Sequence, residues 1–225
     1  MKEDSVSRNR ATRTEILARI RAGVGRATRP AFAAPVGHVL GPQLAALTGQ
    51  AAGSDVLKAR FVRHALASST TVVELAERFA VPAEVARYLD AHGLPRRAAL
   101  WAELADLDWA NVGVAVEARA AQDDDAVGIT GVFCAIAETG TLLTLSGPDT
   151  AAKTSLLPET HIAVVPVARV VATLEEAFAL VRAEHGKLPR ALNFISGPSR
   201  TGDIEQTIVL GAHGPARVHL ILIGS

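Results

Sequence analysis

Three short segments of this sequence contain residues that could bind or transform a small anionic molecule. The first is Ala137–Thr141, where Glu138 directly follows an apolar run and Gly140 permits a tight turn. A carboxylate in this position could serve as a nucleophile, a general base or a hydrogen-bond acceptor that orients a ligand, and Thr139, Gly140 and Thr141 beside it are candidate ligand-binding residues. The alternative is that Glu138 and the threonines only complete a hairpin turn.

The second segment, Ser196–Glu205, combines glycines and hydroxyl side chains with one arginine. Backbone N–H groups after a strand can form a concave anion site, and Arg200 could pair with a carboxylate or a phosphate. The segment contains neither the Gly-Lys-Ser/Thr of a phosphate-binding loop nor G-x-G-x-x-G. It could also be a polar loop whose hydroxyls satisfy its own backbone. Its candidate ligand-binding residues are Ser196, Gly197, Ser199, Arg200, Thr201, Asp203 and Glu205.

The third segment is His213-Gly214-Pro215, directly before the last apolar run. His213 could titrate near neutrality and shuttle a proton, and Gly214 is a further candidate for ligand contact. His161 and several carboxylates raise the possibility of a metal, but no H-x₃-H type of spacing supports one. We therefore expect no metal site and no cofactor.

The same segments resemble the lactate-utilisation protein C family, which is built on the LUD domain. The resemblance extends over Val127–Ile223, and it is diffuse between Phe61 and Val116. One departure is Gly202, where alanine would be expected. The matching strings, in order, are Ala135–Thr141, Leu157–Ile162, Ile195–Glu205 and Leu210–Pro215.

The resemblance implies a fold similar to the ribose-5-phosphate isomerase, glucosamine-phosphate deaminase and CoA-transferase group. It also implies a part in oxidising L-lactate to pyruvate, together with two iron–sulfur-type partner proteins. Because the only cysteine is Cys134, this chain cannot hold such a cluster by itself and would be the subunit without a redox centre. On this hypothesis Arg200 and the Ser196–Thr201 backbone hold a small carboxylate or phosphate ligand, and Glu138 and His213 complete the pocket as the candidate catalytic residues.

Two other functions remain open at this stage. A free-standing CoA-transferase-like or sugar-phosphate enzyme would use Glu138 as nucleophile or base and the Ser196–Thr201 loop for phosphate. A scaffold or regulatory protein would use none of these residues for chemistry. All the functional hypotheses except the scaffold require the turns around Glu138 and Arg200 to meet at one rim of a sheet, with His213 close by.

The elements that must position these residues form an alternating pattern from Ser69 onward. Apolar runs separated by helical patterns indicate an α/β fold with a mixed, mostly parallel sheet flanked by helices. Helices are predicted from Pro82 to Gly93 and from Thr173, which forms a capping box with Glu176, to Gly186. Strands are predicted at Thr70–Val73, Ala98–Trp101, Val112–Val116, Val132–Ala137, Thr141–Leu145, His161–Pro166, Leu192–Ile195 and Val218–Ile223.

Composition sets the remaining expectations. We predict an N-terminal helical extension and flexible connection over residues 1–57, in which Arg29–Gly53 could form a lid, and an α/β domain over 58–225. The 23 basic and 23 acidic residues balance, which argues against attraction to nucleic acid or an anionic membrane. No apolar run approaches the ~20 residues of a membrane span, and the start has no secretory pattern, so a cytoplasmic protein is expected. The neighbours of Cys134 predict a buried thiol.

Overall fold

The computed structural model describes residues 53–186, 188–201, 209–211 and 213–224, together with Glu15 and Ala18. The chain divides into two compact units, Met1–Gln50 and Ala51–Ser225, and the fold below is that of the second unit. The predicted division at residue 57 stays a prediction. The predicted helical extension falls almost wholly outside the described residues, as do Asp203 and Glu205 and, except for Gly53, the predicted lid.

Two sheets organise the second unit. The larger sheet is entirely parallel, and its six strands run in the spatial order β1-β12-β7-β4-β2-β3. The smaller sheet has the order β8-β5-β6-β9 and mixes one parallel with two antiparallel pairings. The strands are β1 Thr71–Leu75, β2 Arg97–Leu100, β3 Ala115–Ala118, β4 Val127–Thr130, β5 Cys134–Ile136, β6 Thr141–Leu145, β7 Thr160–Pro166, β8 Val170–Val171, β9 Leu192–Ile195, β10 Arg200–Thr201, β11 Val209–Leu210 and β12 Arg217–Ile223.

The predicted α/β class with a mixed, mostly parallel arrangement is confirmed. What the sequence did not reveal is that the parallel and antiparallel pairings belong to separate sheets. Strand β4 was not predicted, and the strand expected at Val112–Val116 begins only at Ala115. The short β10 and β11 form a separate antiparallel pair.

Four α-helices are described in this unit. Pro82 lies in the first turn of its helix, where its missing N–H costs nothing, and Gly93 follows the end of that helix with a φ of +62°. The capping box is confirmed in part: the Thr173 hydroxyl accepts from the Glu176 N–H as predicted, whereas the Glu176 carboxylate accepts from the N–H of Ala172, one residue before the N-cap. The helices are α1 Ser54–Ala67, α2 Val81–Ala91, α3 Lys153–Leu156 and α4 Leu174–His185.

The alternation of side chains along the buried strands builds separate apolar cores on the two faces of the larger sheet. Ile162 and Val164 of β7 face the core that contains α2, whereas Ala163 and Val165 face the core that contains α1. A third cluster lies between the smaller sheet and α4 and includes Cys134, which is fully buried as predicted. Within the described part of the chain, no helix has the length and apolarity needed to cross a membrane.

The composition of the acidic run Asp123–Asp125 is typical of a solvated loop tip, but this does not hold for Asp125. Asp125 is buried and its carboxylate accepts two bonds from the Arg119 guanidinium and one from the Gln122 N–H. The Arg119 bonds hold the pKa of Asp125 below its ordinary value.

Two buried histidines make the stability of this unit depend on pH. Burial lowers the pKa of both His161 and His219 from 6.5 to about 4. The unfolded chain therefore binds more protons than the folded chain between these two pH values, and the free energy of unfolding falls as the pH drops through that window. Each histidine contributes up to about 3 kcal/mol of this loss.

We predict that His219→Phe reduces the loss of stability between about pH 7 and about pH 4.5. Phenylalanine preserves the stacking of position 219 on Tyr88 but cannot take up a proton. His92→Phe is the matched control, since His92 also stacks on Tyr88 but is exposed. Urea unfolding at several pH values measures the effect. If the free energy of unfolding depended on pH equally in the two variants, this prediction would be contradicted.

Candidate functional site

The pairing of two antiparallel strands brings the turns around Glu138 and Arg200 to the same edge of the smaller sheet. Leu142 of β6 lies opposite Ile195 of β9, so the residues just before β6 and just after β9 are neighbours. A chain of hydroxyl bonds joins them: Thr139 to Thr141 and Thr141 to Ser196, each with 2.7 Å between the oxygens. We call residues 138–141, 196–200 and 213–214 the turn cluster.

Two glycines of the turn cluster, Gly140 and Gly197, lie directly against the end of α1. Gly140 has a φ of +67°, and a Cβ atom there would overlap the backbone nitrogen of Ala65. Gly197 has a φ of +79°, and a Cβ atom there would overlap the backbone oxygen of Ser68. Both positions therefore require glycine for backbone conformation and for close approach.

Arg200 binds the same end of α1. Its guanidinium donates to the carbonyl oxygen of Ser68 at 3.3 Å and to the hydroxyl of Ser69, a residue with a φ of +64°. A cation at a helix C-terminus interacts favourably with the helix dipole. Arg200 therefore has a structural partner as well as its predicted ligand-binding role.

Glu138 is directed to a different helix. Its carboxylate accepts from the Leu174 N–H at 2.8 Å, at the positive end of α4. The backbone of Glu138 also pairs with Ala172 of the segment leading into this helix. The turns of Glu138 and Arg200 thus share one edge, while their charged groups contact different helix ends.

The third predicted segment adjoins the second. The Ser199 N–H donates to the Pro215 carbonyl at 2.8 Å, and Gly214 lies against the Ser199 side chain. His213 is exposed next to this contact. Thr201 pairs with Val209 in the β10–β11 ribbon.

The turn cluster lies at the opposite edge of the larger sheet from the one expected to bind ligands. Its contacts are with Ser68, Leu156 and Pro215, which directly precede strands β1, β7 and β12, so it lies where these parallel strands begin. Ligands of open α/β sheets ordinarily bind beyond the carboxyl ends of the parallel strands. The strands that lead into the two turns, β5 and β9, belong to the smaller sheet, and the rule does not apply to them.

The carboxyl edge of the larger sheet contains a cavity of about 650 Å³ that the sequence analysis missed. Trp101 and Glu103 follow β2, and Val132 and Phe133 follow β4; all four line this cavity. Aromatic and acidic residues directly after two buried runs were the available signal. It was not recognised because β4 was not predicted.

The described residues show no group of three or more His, Cys, Asp or Glu side chains that could hold a metal ion. Cys134 is fully buried, and burial raises the pKa of its thiol to about 11. Near neutral pH this thiol is therefore protonated and inaccessible, which makes it unsuited to ligation or nucleophilic attack.

A parallel sheet with cores on both faces, joined to a small mixed sheet, defines an α/β protein of the doubly covered type. The sequence model of the LUD domain matches residues 62–223. The chain therefore belongs to the LUD domain family, and the resemblance seen in the sequence is confirmed.

Similar proteins agree with this assignment. The lactate utilization protein C of Bacillus subtilis is 39% identical over 100 residues, and that of Bacillus licheniformis is 35% identical over 100 residues. Each match covers 43% of this chain and 42% of the relative, so it spans less than half of either curated protein. A crystal structure of a DUF162 family protein from Deinococcus radiodurans covers 77% of this chain and 99% of its own, with a TM-score of 0.59 and 26% identity.

The close approach of α1 to the turn cluster gives a first prediction for this site. Gly140→Ala should destabilise the protein by about 1–3 kcal/mol more than Gly93→Ala. Both glycines have a positive φ, and each alanine incurs about 1 kcal/mol of backbone strain. Only the alanine at 140 must also displace the backbone of α1, because the space beside Gly93 is open. Urea denaturation measures both changes, and equal losses would show that α1 does not press on the turn.

The contact of Glu138 with α4 gives a second prediction. Glu138→Gln should lower the free energy of unfolding by about 0.3–1 kcal/mol, because it removes a negative charge from the helix N-terminus. Glu77→Gln, at an exposed glutamate outside α4, is the control and should change stability by less. Thermal unfolding at low and at high salt measures the difference. A salt-independent effect, or an equal effect of both substitutions, would disprove this account of Glu138.

Proposed function

We propose that this chain is the subunit without a redox centre in a system that oxidises L-lactate to pyruvate with two iron–sulfur-type partner proteins. The observation that carries the proposal is the match to lactate utilization protein C relatives, within a chain that belongs to the LUD domain family. The buried thiol of Cys134 supports the view that the partner proteins, and not this chain, carry the redox centres. A single buried, protonated thiol leaves electron transfer to the partners.

We further propose that the turn cluster binds a small carboxylate such as lactate or pyruvate. Thr139 and Ser196 are exposed, and their hydroxyls belong to one continuous hydrogen-bonded chain through Thr141. Hydroxyl groups can rotate to donate a proton to an anion. The exposed Arg200 adds positive charge in the same segment, which favours an anionic ligand over a neutral one.

In this proposal Glu138 and His213 border the site instead of forming the carboxylate contact. The Glu138 carboxylate accepts from the Leu174 N–H of α4, and it would repel a second carboxylate placed against it. His213 is exposed and could exchange a proton with the ligand. The contact of Glu138 with α4 also favours a structural role for this residue over the role of nucleophile in a CoA-transferase-like enzyme.

The proposed pathway role is tested by reconstitution. The protein is copurified with its iron–sulfur-type neighbours, and L-lactate-dependent reduction of an artificial electron acceptor is measured with and without this subunit. We expect oxidation to require the complete set and the isolated protein to perform none. Full lactate oxidation by the partners alone would contradict the proposed role.

The carboxylate site is tested separately by calorimetry with lactate and pyruvate. Thr141→Val and Ser196→Ala should each weaken binding about threefold to tenfold, because each removes a hydroxyl donor. Thr144→Val is the matched control, since Thr144 lies on the same strand but is completely buried. Binding that is absent with and without the partners, or is unchanged in all three variants, would reject the turn cluster as the site.

A further inference from the structure

The larger sheet has a topological switch point between β2 and β4. The chain leaves β2 toward β3 on one side and leaves β4 toward β7 on the other, so the segments that follow these neighbouring strands diverge. Diverging connections open a crevice beyond the carboxyl ends of parallel strands, and ligands of open α/β sheets bind there. The cavity of about 650 Å³ lies at this point.

This cavity is larger than a three-carbon acid such as lactate would fill. One water molecule occupies about 30 Å³, whereas sites for drug-sized ligands and cofactors measure roughly 300–1,000 Å³. The cavity therefore has the dimensions of a nucleoside or a larger ring system. The lining beyond the switch point includes Leu145, Ser146, Gly147, Pro148, Thr150 and Pro189.

The aromatic walls are fixed in place by the protein itself. The Trp101 indole N–H donates to the Ala151 carbonyl at 3.1 Å. The Phe133 ring lies 4.7 Å from the Arg169 guanidinium carbon, and the Phe133 carbonyl accepts from the Arg169 side chain at 2.7 Å. Trp101 is buried and belongs to the fixed wall, whereas Phe133 is only partly buried, so a flat ligand that stacks on its exposed part would cost this ring little freedom.

The charges around the cavity do not favour a free anion. Arg169 forms a two-bond ion pair with Glu184, and Arg78 near Glu103 forms a two-bond pair with Asp106. These partners compensate both guanidinium charges. The remaining carboxylate of the lining, Glu103, presents hydrogen-bond acceptors, and its oxygen lies against the backbone of Gly131.

We propose that this cavity binds a planar heteroaromatic ring, of nucleoside size or larger, which stacks against Phe133 and donates an N–H group to the Glu103 carboxylate. The ligand class is distinct from the small carboxylate assigned to the turn cluster, and neither assignment depends on the other. Burial is the largest influence on the pKa of Glu103 and raises it. Glu103 nevertheless keeps an exposed surface, so a ligand donor would replace water at this carboxylate with a direct hydrogen bond.

The two tryptophans of the sequence allow a direct test. Both side chains are buried, but Trp109 lies in the core beside α2 and bonds to the Leu104 carbonyl, whereas Trp101 forms part of the cavity wall. The full chain with Trp109→Phe therefore reports on the cavity through the fluorescence of Trp101. The probes are adenosine, guanosine and riboflavin, and purine riboside, which lacks the exocyclic amino group, is the matched ligand for adenosine.

We expect at least one of the three probes to change the Trp101 signal saturably, and its affinity to fall on the order of tenfold or more with Glu103→Ala. Glu175→Ala, in the first turn of α4 and outside the cavity lining, should leave that affinity unchanged. If adenosine binds, purine riboside should bind more weakly. Excess lactate should displace none of the probes.

Three results would overturn the proposal. They are the absence of saturable binding for all three probes, equal affinities in the Glu103→Ala and Glu175→Ala proteins, and displacement of the probe by lactate. The last result would make the cavity the carboxylate site. A failure of lactate to bind anywhere would instead concern only the turn cluster.

Discussion

The contact between the end of α1 and two glycines determines how the turn cluster is built. Gly140 precedes β6 and Gly197 follows β9, yet each meets the backbone of the same helix end. No other residue type combines a positive φ with the absence of a Cβ atom there. Arg200 adds a charge interaction with this helix end, so geometry and electrostatics act at the same place.

This constraint changes the interpretation of the family motifs. Residues that the sequence suggested as ligand contacts, such as Gly140 and Gly197, hold two polypeptide segments against a helix. Glu138 likewise stabilises the beginning of α4. The hydroxyls of Thr139, Thr141 and Ser196 stand between these anchored points, and their arrangement depends on the anchors. A rigid surround of this kind is what a site for a small ligand needs.

The sequence predicted the local elements well. The Glu138–Gly140 turn, the capping box of α4 and most of the buried strands follow from spacing and residue type over a few positions. The turns around Glu138 and Arg200 do share an edge, as expected. Which edge of the larger sheet they adjoin could not be predicted, because that depends on β5 and β9 leaving the parallel sheet for a separate one. The bonds of Arg200 to Ser68 and Ser69 span more than 130 positions and have no local signature.

The two edges of the larger sheet therefore offer different chemistry. The edge where β1, β7 and β12 begin carries hydroxyls and an exposed arginine, which suit a small anion. The edge beyond β2 and β4 carries aromatic walls and a carboxylate acceptor around a much larger space. A lactate titration followed by amide and indole NMR signals tests this division most directly. The account predicts shifts at Thr139, Thr141 and Ser196 while the Trp101 indole signal stays in place; lactate-induced shifts centred on Trp101 would contradict it.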